Sequence, residues 1–397
     1  MKLAERINRI KPSPTFAAAA KAAALRAKGI EVVSFAQGEP DFDTPANIKE
    51  AAYKAIREGI TKYTPAAGFD DLKDAIIQKF KRDNGLTYDR SQIMASAGAK
   101  LCIYNLAQAL FEAGDEIIVP APYWVSYTDI ILLMDAQPVI VPTTEGQGFK
   151  MSPAQLKSAI TPRTKAIILN SPNNPTGATY TAEELRSLAA VLVQKKILII
   201  ADDIYENFVY DGIVFTSVAS LGKEVQDQTV VINGVSKTFS MTGWRIGYAA
   251  GPAELIAAMT KVQTQNVSNP VSFCQKAAVE ALLGPQDSVQ EMIVEFDRRR
   301  RYIVERLNGL AGITCSMPQG AFYVFPNITG IFGKKWGEKR ISNSADVTDF
   351  FLEEARVAGV AGSGFGDDRY IRFSYATSMK NIEKGMDRLQ EALKRLK

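Results

Sequence analysis

Residues 166–203 of this 397-residue chain read AIILNSPNNPTGATYTAEELRSLAAVLVQKKILIIADD. Two continuously apolar runs, 166–169 and 197–200, flank a helical stretch that begins with a capping box, TAEE, at 181–184. Runs that are apolar at every position indicate strands buried on both faces of a parallel sheet. The segment therefore predicts two parallel strands joined by a crossover helix in the right-handed sense.

Five further apolar runs have the same character, and helical stretches lie between them. They are 92–95, 116–119, 138–141, 230–232 and 245–248. One helical stretch, 70–84, has Asp70 as its predicted N-cap and Gly85 just past its end. This alternation of strand and helix predicts an α/β domain with a mostly parallel, seven-stranded sheet.

The pattern of predicted helices and strands changes after about Gly284. A long charged helix is predicted over 287–308, and its arginines at 298–301 indicate a solvated face, since no basic or aromatic partners accompany them. Short strands and helices follow, at 321–325, 346–358, 370–374 and 381–396. We expect three parts: an N-terminal arm 1–42 that packs with the last part, a large domain 43–284 and a smaller α+β domain 285–397.

The composition excludes several kinds of chemistry. The chain has 47 Lys and Arg against 43 Asp and Glu, a formal net charge of +4, and no histidine. Triads and dyads that use histidine, and histidine-ligated metals, are therefore ruled out. Demanding chemistry would need a cofactor, with proton transfer by Lys, Asp, Glu, Tyr or Cys. The small net charge argues against nucleic acid or a membrane surface as partner.

The N-terminal segment and the cysteines indicate the cellular compartment of the protein. The apolar segment after Thr15 is interrupted by Lys21, so we predict an ordinary helix with Thr15 as N-cap and Gly29 as its stop. No run approaches the roughly 18 uninterrupted apolar residues of a membrane span. The 3 cysteines are scattered and odd in number, which favours a reducing compartment. We expect a cytoplasmic protein.

Polar and charged residues follow the predicted strands at one edge of the sheet, where open α/β sheets bind ligands. Lys237 lies there in a Ser-Lys pair and could form a Schiff base with a carbonyl. Asp202 follows five largely apolar residues, so it should be buried and in need of a partner. Taken alone, a lysine is usually a surface charge and Asp202 could be a helix N-cap.

The start of one predicted helix could hold an anion. Gly98 and Ala99 would offer backbone N–H groups at the positive end of the helix dipole, and Ser236 and Arg245 could add a hydroxyl and a guanidinium. By itself such a helix start is more commonly just a tight turn. An anion cup, a lysine, a buried carboxylate and an aromatic residue together suit pyridoxal 5′-phosphate.

Residues 234–247, GVSKTFSMTGWRIG, resemble the pyridoxal-phosphate attachment segment of class I aminotransferases. Other motifs of that family occur in the expected order. They are QGEPD at 37–41, KYTPAAG at 62–68, NNPTG at 173–177, DDIY at 202–205 and RFSY at 372–375. The chain is most similar to the bacterial group of aspartate and prephenate aminotransferases, and the resemblance implies the fold type I of pyridoxal-phosphate-dependent transferases.

The resemblance implies roles at the cofactor ring. Lys237 would carry the cofactor as a Schiff base and then shuttle a proton to and from it. Asp202 would keep the pyridine nitrogen protonated. Tyr205 and Asn174 would hydrogen-bond the phenolic oxygen, and Trp124 would stack on the ring.

The resemblance also implies how the phosphate would be held. The residues at this position are Gly98, Ala99, Lys100, Ser236 and Arg245. Tyr63 would reach the phosphate from a second subunit, which implies a homodimer with shared active sites.

For the substrate, the resemblance implies that Arg372 binds the α-carboxylate, with Gly38 and Asn174 close by. Lys100, with Thr15 or Ser13 nearby, would bind the second carboxylate of a dicarboxylic substrate. The implied reaction is a ping-pong exchange between L-aspartate and 2-oxoglutarate. Prephenate, aromatic or alanine aminotransferase activity remains open, as does a regulator that binds the cofactor without turnover.

Overall fold

The computed structural model describes all residues, 1–397. The strands β1–β14, in chain order, are Val33–Ser34, Ile93–Ser96, Glu116–Ala121, Gln137–Pro142, Thr164–Asn170, Leu198–Asp202, Thr229–Gly234, Gly247–Ala250, Tyr323–Val324, Lys335–Trp336, Lys339–Arg340, Val357–Ala358, Val360–Ala361 and Ile371–Ser374. The helices α1–α13 are Pro14–Ala27, Ala46–Arg57, Asp70–Asn84, Ala99–Leu110, Ser126–Leu133, Pro153–Ala159, Ala182–Lys195, Lys223–Asp227, Ala253–Asn266, Ser272–Leu283, Asp287–Asn308, Ser344–Phe350 and Met379–Leu393.

A seven-stranded sheet in the order β2-β8-β7-β6-β5-β3-β4 forms the centre of the molecule. The strands β7, β6, β5, β3 and β4 are paired in parallel, and only β8 runs antiparallel to its neighbours β2 and β7. The predicted mostly parallel sheet is therefore confirmed. The capping box before α7 is confirmed as well, because the side chain of Thr181 accepts from the N–H of Glu184.

Both faces of the sheet are buried, as the continuous apolar runs predict. Along β5, Ile167 belongs to one hydrophobic cluster and Ile168 to another, because successive side chains point to opposite faces. The second cluster includes residues of α4, α5 and α9, such as Leu106 and Met259. The first includes residues of α3, α7 and α10 and continues into the C-terminal part of the chain.

Several predicted boundaries are wrong by a few residues. The strand predicted at 245–248 is β8, which begins at Gly247, because Arg245 adopts a left-handed backbone conformation with φ of 54°. Helix α3 begins at Asp70 itself, with Phe69 in the cap position. In α1, Ser13 takes the cap position without a capping hydrogen bond, and Thr15 lies inside the helix.

The C-terminal part is built on α11 and a three-stranded sheet in the order β13-β14-β9. The helix predicted at 346–358 is shorter: α12 ends at Phe350, a π-helical turn follows, and β12 takes up Val357–Ala358. Strand β1 of the N-terminal arm pairs in parallel with β12. The bounds of the arm and of the two domains stay a prediction.

The arginine run on α11 is not the solvated face that the sequence indicates. Arg299 and Arg300 are buried, and only their neighbours in the run are exposed. Nη1 of Arg299 lies 2.6 Å from Oδ1 of Asp41 in the N-terminal arm. The run therefore joins α11 to other parts of the chain. None of the helices combines the length and apolar character that a membrane crossing requires.

Candidate active site

A cavity of about 480 Å³ opens at the carboxyl edge of the central sheet, within the usual size range of small-molecule sites. Strands β5, β6 and β14 contribute to its wall, together with the ends of α1, α4 and α5. The predicted site residues that line it are Ser13, Thr15, Gly38, Ala99, Lys100, Trp124, Asn174, Asp202, Tyr205, Ser236, Lys237, Arg245 and Arg372. Gly98 and Tyr63 are the predicted residues that do not.

Lys237 lies in the turn between β7 and β8, at the cavity wall. Its Nζ donates to the backbone carbonyl of Gly38 at 2.5 Å. Burial lowers the pKa of Lys237 to about 8. At mildly alkaline pH a large share of this amine is therefore neutral, which is the form that can attack a carbonyl or accept a proton.

Asp202 is the last residue of β6 and is buried, as the sequence predicts. Burial raises the pKa of its carboxyl to about 6. The hydroxyl of Tyr127 donates to its Oδ2 at 2.5 Å, and the side-chain amide of Asn170 donates to its backbone carbonyl at 2.8 Å. The carboxylate thus faces the cavity with a fixed orientation.

Aromatic side chains surround the cavity between these two groups. The hydroxyl of Tyr205 lies 2.7 Å from that of Tyr323. Trp124 packs edge to face on Tyr127, with ring centroids 5.3 Å apart. The Nζ of Lys100 lies 4.8 Å from the centroid of the Trp124 ring.

The start of α4 lies next to Arg245, as an anion cup requires. No side chain caps the helix at its N-terminus. Gly98 has φ of +95°, and any Cβ there would collide with the guanidinium of Arg245, so the close approach depends on glycine. The N–H of Gly98 already donates to the carbonyl of Ser96 at 2.7 Å, and Gly98 does not line the cavity. The role of this N–H in phosphate binding stays a prediction.

Arg372 is the most unusual group in the cavity because it is only 2% exposed and has no carboxylate partner. Its Nη1 donates to Oδ1 of Asn174 at 2.9 Å and its Nη2 to the carbonyl of Ala36 at 2.7 Å. Its Nε is buried and has no partner. Tyr323 and Phe365 lie against the guanidinium, with ring centroids 4.5 and 4.9 Å away. A buried guanidinium with a free donor is suited to bind an anionic ligand.

Three residues at the site are not among the predicted site residues. Tyr127, Asn170 and Tyr323 line the cavity and contact predicted site residues. Tyr127 follows Trp124 at helical spacing, and Asn170 directly follows the predicted strand 166–169, so the sequence offered a signal for both positions. Tyr323 carried none, because its role depends on the C-terminal part of the chain meeting the large sheet.

Comparison with known proteins supports an enzymatic role for this chain. The family described as aminotransferase class I and II matches residues 30–389. An aspartate/prephenate aminotransferase of Nitrosomonas europaea is 47% identical over 396 residues, which are 99% of this chain and 100% of that protein. An aspartate aminotransferase of Geobacillus stearothermophilus is 48% identical over 98% of both chains.

Comparison with solved structures leads to the same family as comparison of sequences. The aspartate aminotransferase from Rhizobium meliloti superposes with a TM-score of 0.97 at 44% identity and full coverage of both chains. The chain belongs to the class I and II aminotransferases. The predicted family, the predicted fold and the prediction of an enzyme are confirmed.

Proposed function

We propose that the cavity binds pyridoxal 5′-phosphate and that the protein exchanges an amino group between L-aspartate and 2-oxoglutarate by a ping-pong mechanism. Arg372 is the observation that carries this proposal. A fully buried guanidinium without a counterion, facing the same cavity as Lys237 and Asp202, calls for a substrate carboxylate at that point.

The residues present fit the cofactor. Its aldehyde requires an amine, its pyridine nitrogen an acidic partner and its phosphate a cup of donors, and Lys237, Asp202 and the start of α4 beside Arg245 offer these around one cavity. Bound there, pyridoxal phosphate would supply an electrophilic carbonyl and a ring that accepts electron density from the substrate Cα. The chemistry of the protein's own residues follows from their surroundings.

Lys237 is suited to move a proton during the reaction. Desolvation brings its pKa to about 8, and the carbonyl of Gly38 holds its Nζ at the cavity wall. Asp202 would hold a proton at the ring nitrogen, because a buried carboxylate is stabilised by a cationic N–H partner. The Tyr205 hydroxyl and the Asn174 amide, both buried at the cavity, would bind the phenolic oxygen.

Two cations in the cavity would select the substrate. Arg372 would bind the α-carboxylate, and its contact with Asn174 already fixes the orientation of the guanidinium. Lys100 would bind a second carboxylate, and Thr15 of α1 and the cap residue Ser13 line the same cavity. Desolvation of its ammonium group by the cavity wall lowers the pKa of Lys100. The names of the Geobacillus and Rhizobium relatives support aspartate as the amino donor.

Prephenate is the second candidate substrate, because the Nitrosomonas relative is named for both activities. Prephenate is also a 2-oxo acid with a second carboxylate, so Arg372 and Lys100 together would suit it. Alanine and aromatic substrates leave Lys100 without a partner, which makes them poorer candidates. No observation favours a regulator without turnover.

We further propose a homodimer in the cytoplasm, in which Tyr63 reaches the phosphate site of the other subunit. The side chain of Tyr63 is 90% exposed and lies outside the cavity of its own chain. The cysteines are all buried and unpaired, in keeping with a reducing compartment.

Trapping the cofactor on the protein tests the proposal. Borohydride reduction of the purified protein, supplemented with pyridoxal phosphate, should leave a pyridoxyl group on the peptide that contains Lys237. A protein that stays colourless and gives no such peptide would overturn the proposal. Values of kcat/KM for aspartate, alanine and an aromatic amino acid, and for 2-oxoglutarate against prephenate, then define the substrate.

A further inference from the structure

We propose that Tyr127 is a positioning residue that orients Asp202 toward the cofactor's pyridine nitrogen and supports the ring-stacking face of Trp124. This inference rests on the proposed function, since it needs a pyridine nitrogen at Asp202. One buried tyrosine contacts both the acidic partner and the stacking surface.

The contact with Asp202 is the main geometric argument. The Tyr127 hydroxyl donates to Oδ2 at 2.5 Å, whereas Oδ1 accepts only the N–H of Ile204 at 3.4 Å, a long and weak contact. Tyr127 is therefore the strongest partner of the carboxylate. With Oδ2 held by the hydroxyl, Oδ1 is the oxygen left to accept from a ligand.

The electrostatics of the pair agree with this geometry. Burial, followed by the charge of Asp202, raises the pKa of Tyr127 well above its ordinary value, so the hydroxyl remains a donor at every working pH. The same hydroxyl opposes the effect of burial on the pKa of Asp202. Without it, a buried carboxylate would lose its best hydrogen bond and ionise less readily.

The contact with Trp124 follows from local helical geometry. The N–H of Tyr127 donates to the carbonyl of Trp124 at 3.0 Å, where the chain enters α5. The two rings meet edge to face at an interplanar angle of 82°. Tyr127 is 2% exposed, so its ring is held by the core on the side away from Trp124. A phenylalanine would keep this packing and remove only the hydroxyl.

Ligand affinity of the apoprotein tests the contact with Asp202 by itself, because phenylalanine keeps the packing on Trp124. For Tyr127→Phe we expect about tenfold weaker binding of pyridoxal phosphate, the cost of one charge-assisted hydrogen bond. Binding of the 1-deaza analogue, in which CH replaces the ring nitrogen, should not change. Tyr180→Phe is the matched control: its buried hydroxyl accepts the N–H of Met151 at 2.8 Å, outside the cavity, and it should leave both affinities unchanged.

A second measurement uses Asp202→Asn as the background. If the hydroxyl acts through the carboxylate, adding Tyr127→Phe to Asp202→Asn should have little further effect on pyridoxal phosphate affinity. Equal losses for both ligands, additive losses in the double variant, or no loss at all would overturn the inference. A wild-type protein that binds neither ligand would instead overturn the proposed function, and the inference with it.

Discussion

Two fully buried arginines of this molecule differ in whether a carboxylate pairs with them. Arg300 is 0% exposed, and its guanidinium contacts Asp211, Asp297 and the carbonyl of Pro318, with Nη1 2.8 Å from Oδ2 of Asp211. Arg372 is 2% exposed and meets no carboxylate at all. We call Arg300 with its two aspartates the paired cluster, and Arg372 with Lys237 and Lys100 the unpaired cluster.

The difference teaches which charges serve the fold and which serve a ligand. Burying a charge is costly unless a partner compensates it, so a fold without other constraints would pair each one. The paired cluster obeys this rule and joins α11 to the segment after β6. In the unpaired cluster Arg372 breaks this rule, and negative charge supplied from outside would pair all three cations around one cavity.

The largest expected effect falls on the unpaired cluster. Lys237→Ala should lower the rate of amino transfer by at least about 10⁴-fold, because the variant loses both the nucleophile and the proton carrier. Stopped-flow or steady-state assays of amino transfer measure this loss. Normal turnover in this variant would remove Lys237 from the mechanism and erase the contrast between the clusters.

Replacing each buried arginine by leucine tests the comparison directly. Arg372→Leu should reduce kcat/KM by about 10² to 10³-fold while leaving the ligand-free protein as stable as before or more so, since an uncompensated charge disappears. Arg300→Leu should cost about 3 kcal/mol of unfolding free energy and leave the activity of the folded fraction unchanged. Denaturant titration and active-site-normalised kinetics measure the two quantities.

The opposite pattern would show that the presence or absence of an ion pair does not distinguish structural from functional arginines. A stability loss in Arg372→Leu as large as that in Arg300→Leu would mean that Arg372 serves the fold. An activity loss in correctly folded Arg300→Leu would mean that the paired cluster contributes to turnover.

The central sheet could be predicted because its signal is local. Strands such as β5 and β6 are apolar at every position, and the capping box at Thr181 marks the helix between them. The edge of the sheet then places Asp202 and Lys237 near each other without further information. Boundaries failed where the backbone departs from regular geometry, as at Arg245 with its positive φ.

What could not be predicted depends on contacts between distant parts of the chain. Nothing local distinguishes Arg300 from its neighbour Arg301 in a run of four arginines, yet one is fully buried and the other exposed. Tyr323 likewise meets Tyr205 only because β9 lies beside the large sheet. Asp211 and Asp41, which pair with the run, are remote in sequence, so the local pattern favoured solvation.

A smaller effect is expected at Lys100, the more exposed member of the unpaired cluster. Lys100→Ala should raise KM for aspartate about 10 to 100-fold, the cost of a lost charge-assisted contact, and change KM for alanine little. The ratio of the two KM values isolates the second carboxylate from general damage to the cavity. An equal rise for both amino acids would remove Lys100 from substrate selection.

The last prediction concerns the stability of the ligand-free protein and a carboxylate rather than a cation, and it sharpens the rule that a charge buried in the cavity without an opposite charge costs stability. The folded-state pKa of Asp202 is about 6, above its ordinary value of 3.8, so the stability gained from its protonation is complete below about pH 4 and lost as the pH rises through 6. Asp202→Asn removes this dependence and keeps an acceptor for the Tyr127 hydroxyl. At pH 8 the Asp202→Asn apoprotein should therefore be about 3 kcal/mol more stable than the wild type, while at pH 4 the two should be nearly equal. Denaturant titrations of both apoproteins between pH 4 and pH 8 measure the difference, and a gap that does not depend on pH would show that the ionised carboxylate carries no burial cost.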